Sequence, residues 1–358
     1  MNDVKYKGLV VTLTREILDG KFVPLGAFPS ERALAARFGV SRQTIRRVMR
    51  ELNRSGLVYS RQGQGTKLTR IGANLRESVG LILTGERRTE IAREIREELT
   101  RLTRGMGLEL RFGDASSLDA RSCARSALRL AKRFAGEKVS GVILQPVEFL
   151  PDADQVNARI VSAFADARIP VVLIDCDICS EPERSGHDVV GIDNFQAGRR
   201  LAVHLRAAGA DTAVFLAQMH YPPTIAERMR GVRSVLPMAG GSEDIVLGDL
   251  SAGAIVRALR HRKRPAAVVC QNDVAAVNAL AALRRLRWRV PEDVMVAGFD
   301  DVAYAPMLEP ALTSVRQPCR HIAKRAFELL LDRIGRSSAP SERVSLEASL
   351  VVRGSTSR

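Results

Sequence analysis

The sequence predicts an α/β protein in two parts, an N-terminal winged helix-turn-helix followed by a two-lobed domain of doubly wound parallel sheets. Three observations carry that expectation. Near the start, two helical segments with capping residues are separated by Gly39-Val40 and followed by a glycine-rich hairpin. From about Ser78 onward, short apolar runs alternate with amphipathic helical stretches. The formal charge of +15 is uneven, with +10 carried by residues 1–76 and only +5 by the rest.

The N-terminal elements follow from local chemistry. In Phe28-Pro29-Ser30-Glu31-Arg32-Ala33-Leu34-Ala35-Ala36-Arg37-Phe38-Gly39, Ser30 can cap a short helix and Gly39 can close it in the left-handed conformation. Ser41 can cap a second helix at once. In that helix Ile45, Val48, Met49 and Leu52 form one apolar stripe, Arg42, Gln43, Arg46, Arg47 and Arg50 occupy the other surface, and Gly56 ends it. Leu57-Val58-Tyr59-Ser60 and Thr66-Lys67-Leu68 then read as strands about the turn Gln62-Gly63-Gln64-Gly65. A basic segment of this kind suits a polyanion, because each phosphate neutralised by Lys or Arg releases a condensed counterion; a solvated basic surface is the alternative.

Three phrases in order, Phe-Pro-Ser-Glu-Arg, Gly-Val-Ser-Arg-Gln-Thr-Ile-Arg and Arg-Gln-Gly-Gln-Gly-Thr, closely resemble the GntR winged-helix family over about residues 5–70. The resemblance implies DNA contacts at Arg32, at Arg42, Gln43, Thr44 and Arg46 on the second helix, and at Gly63 in the wing. The residue types agree with those roles. Arginine can fork onto guanine or phosphate, Thr44 can donate to phosphate or meet a thymine methyl, and Gly63 lets wing backbone enter a narrow groove.

Beyond Ser78 the apolar runs at 79–83, 108–112, 141–144, 171–174, 189–192, 212–216, 267–270 and 294–299 read as strands separated by helices. That order implies parallel sheets covered on both faces, and about 280 residues exceed what one such sheet needs. Two lobes are the expected solution. No Gly-x-Gly-x-x-Gly follows a strand, so no dinucleotide cofactor is expected, and no metal.

Several phrases here together resemble the LacI/GalR effector domain, which has the periplasmic-binding-protein-like fold. They are Val190-Gly191-Ile192-Asp193-Asn194-Phe195-Gln196-Ala197-Gly198, Arg228-Met229-Arg230-Gly231, Gln271-Asn272-Asp273, Val290-Pro291-Glu292-Asp293, Gly298-Phe299-Asp300-Asp301 and Leu312-Thr313-Ser314-Val315-Arg316-Gln317-Pro318. A GntR-type reader joined to a LacI-type sensor is similar to the arabinose-repressor subgroup. The resemblance implies a DNA-binding domain at 1–70, a linker at 71–77 and a ligand-binding domain at 78–358. Within the latter, the first lobe would hold 78–188 and 314–337, and the second 189–313 and 338–358. It places ligand contacts at Arg228, Asn272, Asp300, Asp273 and Asp193. Carboxylates and amides suit hydroxyl groups, and Arg228 offers a bidentate fork. Asp193, Asn194 and Asp301 equally fit caps of helices or turns.

Two departures bear on the ligand. Arg87 and Arg88 stand where the family often has aromatic residues, and Leu250 stands where some sugar-binding members carry an aromatic platform. The expected ligand is therefore a small polyhydroxylated molecule, a sugar, sugar acid or sugar phosphate, with Arg88 as a further contact; Arg87 and Arg88 also fit a solvated helix start. The only tryptophan, Trp288, reads as surface or lobe packing.

Other function classes fit less of the chain. An enzyme would use Asp300 and Asp301 with His187, His204 or His220, yet no nucleophile and base stand at an interpretable spacing. A transport-type solute-binding protein would need an export signal, and no apolar N-terminal run supplies one. A structural nucleoid binder explains the charge but not a sensor-sized domain. Five cysteines are too sparse for a disulfide framework, and Cys176-x-x-Cys179 lacks a second Cys/His pair at ligand spacing. The expectation is thus a cytoplasmic, dimeric repressor that binds operator DNA and is released by its ligand.

Overall fold

The structure is a computed structural model that describes residues 2–19, 21–22, 27–61, 65–69, 78–84, 90–117, 119–179, 183–237, 245–261, 264, 266–335 and 340–357. Gly63, Arg87, Arg88 and the 71–77 linker lie outside the described residues.

The N-terminal unit is built as its caps dictate. Helix α1 (Asn2–Leu18) buries Val10, Leu13 and Ile17. Helix α2 (Glu31–Phe38) starts where the Ser30 hydroxyl accepts from the Ala33 amide and stops where Gly39 turns left-handed at φ 60°. Ser41 repeats the device for α3 (Arg42–Arg54), accepting from the Thr44 amide at 3.1 Å. Ile45, Val48, Met49 and Leu52 of α3 face the core, as their spacing requires. Strands β1 (Val58–Arg61) and β2 (Gly65–Leu68) pair antiparallel from Val58↔Leu68 to Arg61↔Gly65, with Gly65 at φ 72° closing the hairpin. Arg37 of α2 forks onto the buried carboxylate of Glu16, tying α1 to α2.

The rest of the chain forms two sheets with helices on both faces. The first contains β3 (Ser78–Leu83), β4 (Glu109–Asp114), β5 (Val142–Leu144), β6 (Val171–Ile174), β7 (Asp188–Ile192) and β13 (Arg343–Leu346), in the order β13-β7-β6-β5-β3-β4 and wholly parallel. The second contains β8 (Ala213–Gln218), β9 (Ile245–Leu247), β10 (Ala267–Cys270), β11 (Met295–Phe299), β12 (Thr313–Arg316) and β14 (Ser349–Val351), ordered β14-β12-β11-β10-β8-β9, with β14 alone antiparallel. Central strands such as β6, β10 and β11 are buried at every position, which is why they read as unbroken apolar runs.

Helices α4 (Glu90–Gly105), α5 (Ala120–Glu137), α6 (Ala153–Ala165) and α11 (Cys319–Gly335) cover the first sheet, and α7 (Asn194–Ala207), α8 (Pro223–Arg233), α9 (Ala252–Leu259) and α10 (Asp273–Arg285) cover the second. Strand pairing moves the expected lobe boundaries. β7 hydrogen-bonds to β6, so the first lobe runs through Ile192 instead of ending at 188; β12 belongs to the second sheet, so the return crossing follows Arg316; and β13 pairs with β7, so 343–346 is first-lobe chain and not second-lobe chain. Helix α1 also packs on α4, with Val11, Arg15 and Leu18 facing Arg96, Thr100 and Gly107. Among the described residues no helix is long and apolar enough to cross a membrane.

Candidate functional site

Six residues occupy equivalent places in the fold. Thr84, Gln145, Asp175, Gln271 and Asp300 are the first residues past β3, β5, β6, β10 and β11, and Gln218 is the last of β8. All six line one cavity of about 200 Å³ between the lobes, at the carboxyl ends of parallel strands, where open α/β sheets take their ligands. Glu148, Phe149, Thr224, Arg228, Asn272 and Gln317 complete its polar and aromatic wall, while Ile91, Ile95, Ile174 and Ile322 supply apolar surface.

Arg228, Asn272 and Asp300 all line this cavity. Arg228 is buried at 5% exposure, and its Nε donates to Asn194 Oδ1 at 2.8 Å. Its Nη1 donates to the Gln271 carbonyl at 2.8 Å, and its guanidinium carbon lies 4.6 Å from the centre of the Phe299 ring. Nη2 has no hydrogen-bond partner among the described residues. Asp300 accepts from Gln317 Nε2 at 2.8 Å, so one lobe's carboxylate is held by the other side of the return crossing. Asn272 caps α10 through the Ala275 amide at 2.9 Å and exposes its remaining polar edge to the cavity wall.

The two less specific assignments fall elsewhere. Asp273 is 1% exposed and turned away from the cavity; it accepts from Ser314 Oγ at 2.6 Å and from the Val302 amide at 3.0 Å, and burial raises its carboxyl to about 7. It ties α10 to the β11–β12 connection. Asp193 caps α7 by accepting from the Gln196 amide at 2.9 Å and lines a separate recess beside Arg343. Asp301 forms ion pairs with Arg316 at 2.5 Å and Arg353 at 2.7 Å. Leu250 packs on the second-lobe core, and Phe149 lines the cavity, so an aromatic face is present after all, contributed by the first lobe.

Glu148 and Asp175 also line this cavity, and motif reasoning did not reach them. Burial raises both carboxyls; in Glu148, with Asp175 adding repulsion, the result is about 8. The signal was available in Val171-Val172-Leu173-Ile174-Asp175, an acid directly after a wholly apolar parallel strand. Gly191 makes room for it, because a Cβ there would overlap the Asp175 carbonyl. Cys176 is buried and its thiol offers Glu148 a contact at 3.7 Å; burial and Glu148 push that thiol well above its ordinary range, which leaves it a weak donor, not a thiolate.

At the N-terminal unit, Arg32, Arg42, Gln43 and Arg46 are exposed on one side of α2 and α3, and Thr44 is half-buried with its hydroxyl 2.9 Å from Ser41 Oγ. Arg46 Nε lies 3.0 Å from Glu31 Oε2. Arg47 stacks over the Tyr6 ring at 3.8 Å and so supports α1.

A winged helix ahead of two parallel-sheet lobes that share a polar cleft defines the class of two-domain regulators with a DNA reader and a ligand sensor. Residues 5–68 match the gntR family of bacterial regulatory proteins, and 202–356 match the periplasmic binding protein-like domain. The helix-turn-helix-type transcriptional repressor PurR of Erwinia tasmaniensis is 30% identical over 292 residues, which are 79% of this chain and 80% of that protein. PurR of Vibrio vulnificus is 29% identical over 230 residues, 62% of this chain and 66% of that protein. With PurR of Vibrio cholerae at 60%, the chain spans less than two thirds of these Vibrio relatives. Among solved structures, a complex of the transcriptional regulator CelR with cellobiose superposes with a TM-score of 0.62 at 26% identity, covering 92% of this chain and all of that one. The transcription regulator GntR from Chromobacterium violaceum gives 0.62 at 24% identity, covering 78% and 99%. The chain belongs to the family of helix-turn-helix-type transcriptional repressors that includes PurR, and carries a GntR-type winged helix at its N-terminus.

Proposed function

We propose that this protein is a transcriptional repressor that binds operator DNA through its winged helix and is released by a small polyhydroxylated molecule in the interlobe cleft. The observation that carries the reading is the division of α3: one stripe is buried against α1 and α2, and Arg42, Gln43 and Arg46 are presented outward together with Arg32 of α2. Gly63 stays in the proposed DNA-contact set on its motif. The repressor sign is supported by the PurR relatives, and a sugar-like ligand by the CelR structure with cellobiose. We place the protein in the cytoplasm, where its DNA partner is.

A dimer accounts best for two-fold reading of an operator. Val274, Tyr304 and Met307, the last 81% exposed, offer apolar surface on the second lobe for a second copy. Helix α4 offers a route for the ligand signal. Ile91 and Ile95 line the cleft, Glu90 accepts from the Ala303 amide of the second lobe, and the far end of the helix carries α1. Of the histidines an enzyme would use, His187, His204 and His220, none lines this cavity, and His204 lies 2.8 Å from Thr356 Oγ1.

The test is selection of bound duplexes from a random library by the full chain, followed by titration of the selected duplex. Enrichment of a two-fold symmetric site that is lost with Arg42→Ala and Arg46→Ala supports the reading. Equal retention of all duplexes overturns it.

A further inference from the structure

Three carboxyl groups reach the cavity from three strand ends: Glu148 past β5, Asp175 past β6 and Asp300 past β11. One described cation, Arg228, faces them, and it is already engaged by Asn194, Gln271 and Phe299. Asp300 has the Gln317 amide. Glu148 has only the Cys176 thiol at 3.7 Å, and the half-buried Asp175 carboxyl lines the cleft with no hydrogen-bond partner among the described residues. Two acceptor groups thus line a cavity in which, among the described residues, neither receives a hydrogen bond from a nitrogen or hydroxyl donor.

Such a pair discriminates among polyols. A neutral sugar can donate hydroxyls but leaves the like charges of Glu148 and Asp175 facing one another, so one of them must stay protonated. An anion adds a further like charge and competes with Asp300 for Arg228. A cationic nitrogen supplies two or three donors and, among the described residues, a positive charge beyond that of Arg228.

We propose that the cleft is selective for a polyhydroxylated amine, its ammonium group between Glu148 and Asp175 and its hydroxyls on Asp300, Asn272, Gln317 and Arg228, with Phe149 against its apolar face. This rests on the cleft being the sensor site, and it narrows the ligand away from sugar acids and sugar phosphates. Binding of the cation draws Glu148 into its ionised form and so releases a proton; the charged and titratable groups that face Glu148 are Asp175, Asp300, Arg228 and Cys176.

The experiment uses the full chain in thermal-shift and calorimetric titrations with glucose, galactose and ribose, their 2-amino-2-deoxy and 1-amino-1-deoxyalditol counterparts, and gluconate. The expected result is stabilisation by at least one amine with a neutral counterpart bound tenfold or more weakly, and with proton release near pH 7.5 seen as a dependence of the heat on buffer ionisation. Glu148→Gln and Asp175→Asn each reduce amine affinity tenfold or more and bring amine and neutral sugar together. Glu148→Gln replaces a half-buried carboxyl with an amide of the same shape, and its own melting curve checks that it folds. A neutral or acidic member that binds as tightly as its amine, or a panel in which no amine binds, overturns the charge assignment. If such a member loses binding with Asp300→Ala, the sensor reading stands while the charge assignment falls; amine binding indifferent to Glu148, Asp175 and Asp300 alike removes both.

Discussion

Gly198 of α7 lies against the main-chain carbonyl of Arg228 on α8, so close that a Cβ at Gly198 would overlap it. The contact is reciprocal, since a Cβ at Gly231 would overlap the Phe195 carbonyl. The two helices therefore cross backbone to backbone, and that crossing sets where the Arg228 side chain enters the cleft. Gly198→Ala forces α8 outward and is expected to cost about 3 kcal/mol of stability, as overpacking of a tight contact does, and to weaken ligand binding with it. Gly136→Ala is the control: Gly136 is in helix α5 with nothing within 4 Å of its Cβ position, so it is expected to be neutral or to stabilise by about 0.5–1 kcal/mol. Urea melts of both variants measure the difference.

Arg46 and Glu31 make an exposed ion pair at 3.0 Å on the face we propose for DNA. An exposed pair contributes about 0–1 kcal/mol to folding, so its disruption is expected to leave the melting temperature nearly unchanged. On DNA the two residues act oppositely. Arg46→Ala is expected to cost about 1–3 kcal/mol on the selected operator, while Glu31→Ala frees Arg46, removes a repelling charge and leaves binding equal or tighter. Fluorescence anisotropy at about 0.15 M salt measures both. Unchanged affinity in Arg46→Ala would show that α3 presents another face.

The reader domain and the central strands were legible because their signals are local. Ser30, Gly39 and Ser41 each satisfy or terminate helix ends within a few residues, and β6 and β10 announce themselves as apolar runs. Strands β13 and β14 gave no such signal, because they lie at sheet edges, are partly exposed and pair with chain more than thirty residues away. Their pairing decides the lobe boundaries, which is why those boundaries moved. In the cleft, Arg228, Asn272 and Asp300 were found through motifs, but Glu148 and Asp175 follow strands singly. Asp273 stands beside the cavity-lining Asn272 in sequence, and Asp193 stands in a motif whose residues line a separate recess; their side chains go to Ser314 and to a helix start.

Two acids with raised pKa values, buried Asp273 and half-buried Glu148, give the unliganded protein a defined response to pH. Burial raises Glu148 from 4.5 to about 8 and Asp273 from 3.8 to about 7, so each stabilises the folded state in its protonated form. That contribution is complete below about pH 4 and is lost as pH rises through about 7 to 8, because the unfolded chain gives up these protons at lower pH. The melting temperature is expected to fall between pH 6 and pH 8.5. Glu148→Gln should flatten the fall and raise the value at pH 8.5, as a calorimetric series at constant ionic strength checks; an unchanged slope would remove Glu148 from this pair of acids.

Asp188 and Arg333 form the best-enclosed ion pair among the described residues, with side chains 1% and 15% exposed and Arg333 Nε and Nη2 at 2.5 and 2.8 Å from the two carboxylate oxygens. Asp188 also accepts from the Glu342 amide at 2.7 Å, and Arg333 donates to the Pro340 carbonyl. One carboxylate thus holds β7, α11 and the chain entering β13, the last strand of the first lobe. Asp188→Ala leaves Arg333 buried without its anion and the Glu342 amide without its acceptor, and is expected to cost about 3–5 kcal/mol. Asp188→Leu combined with Arg333→Leu removes both charges and leaves the Glu342 amide and the exposed Pro340 carbonyl without their partners, a loss of about 1–3 kcal/mol. The double variant should therefore be more stable than Asp188→Ala alone, although it changes more atoms. Urea denaturation of the two proteins decides it; a double variant less stable than the single one would show that the pair gains more from mutual attraction than it loses by leaving water.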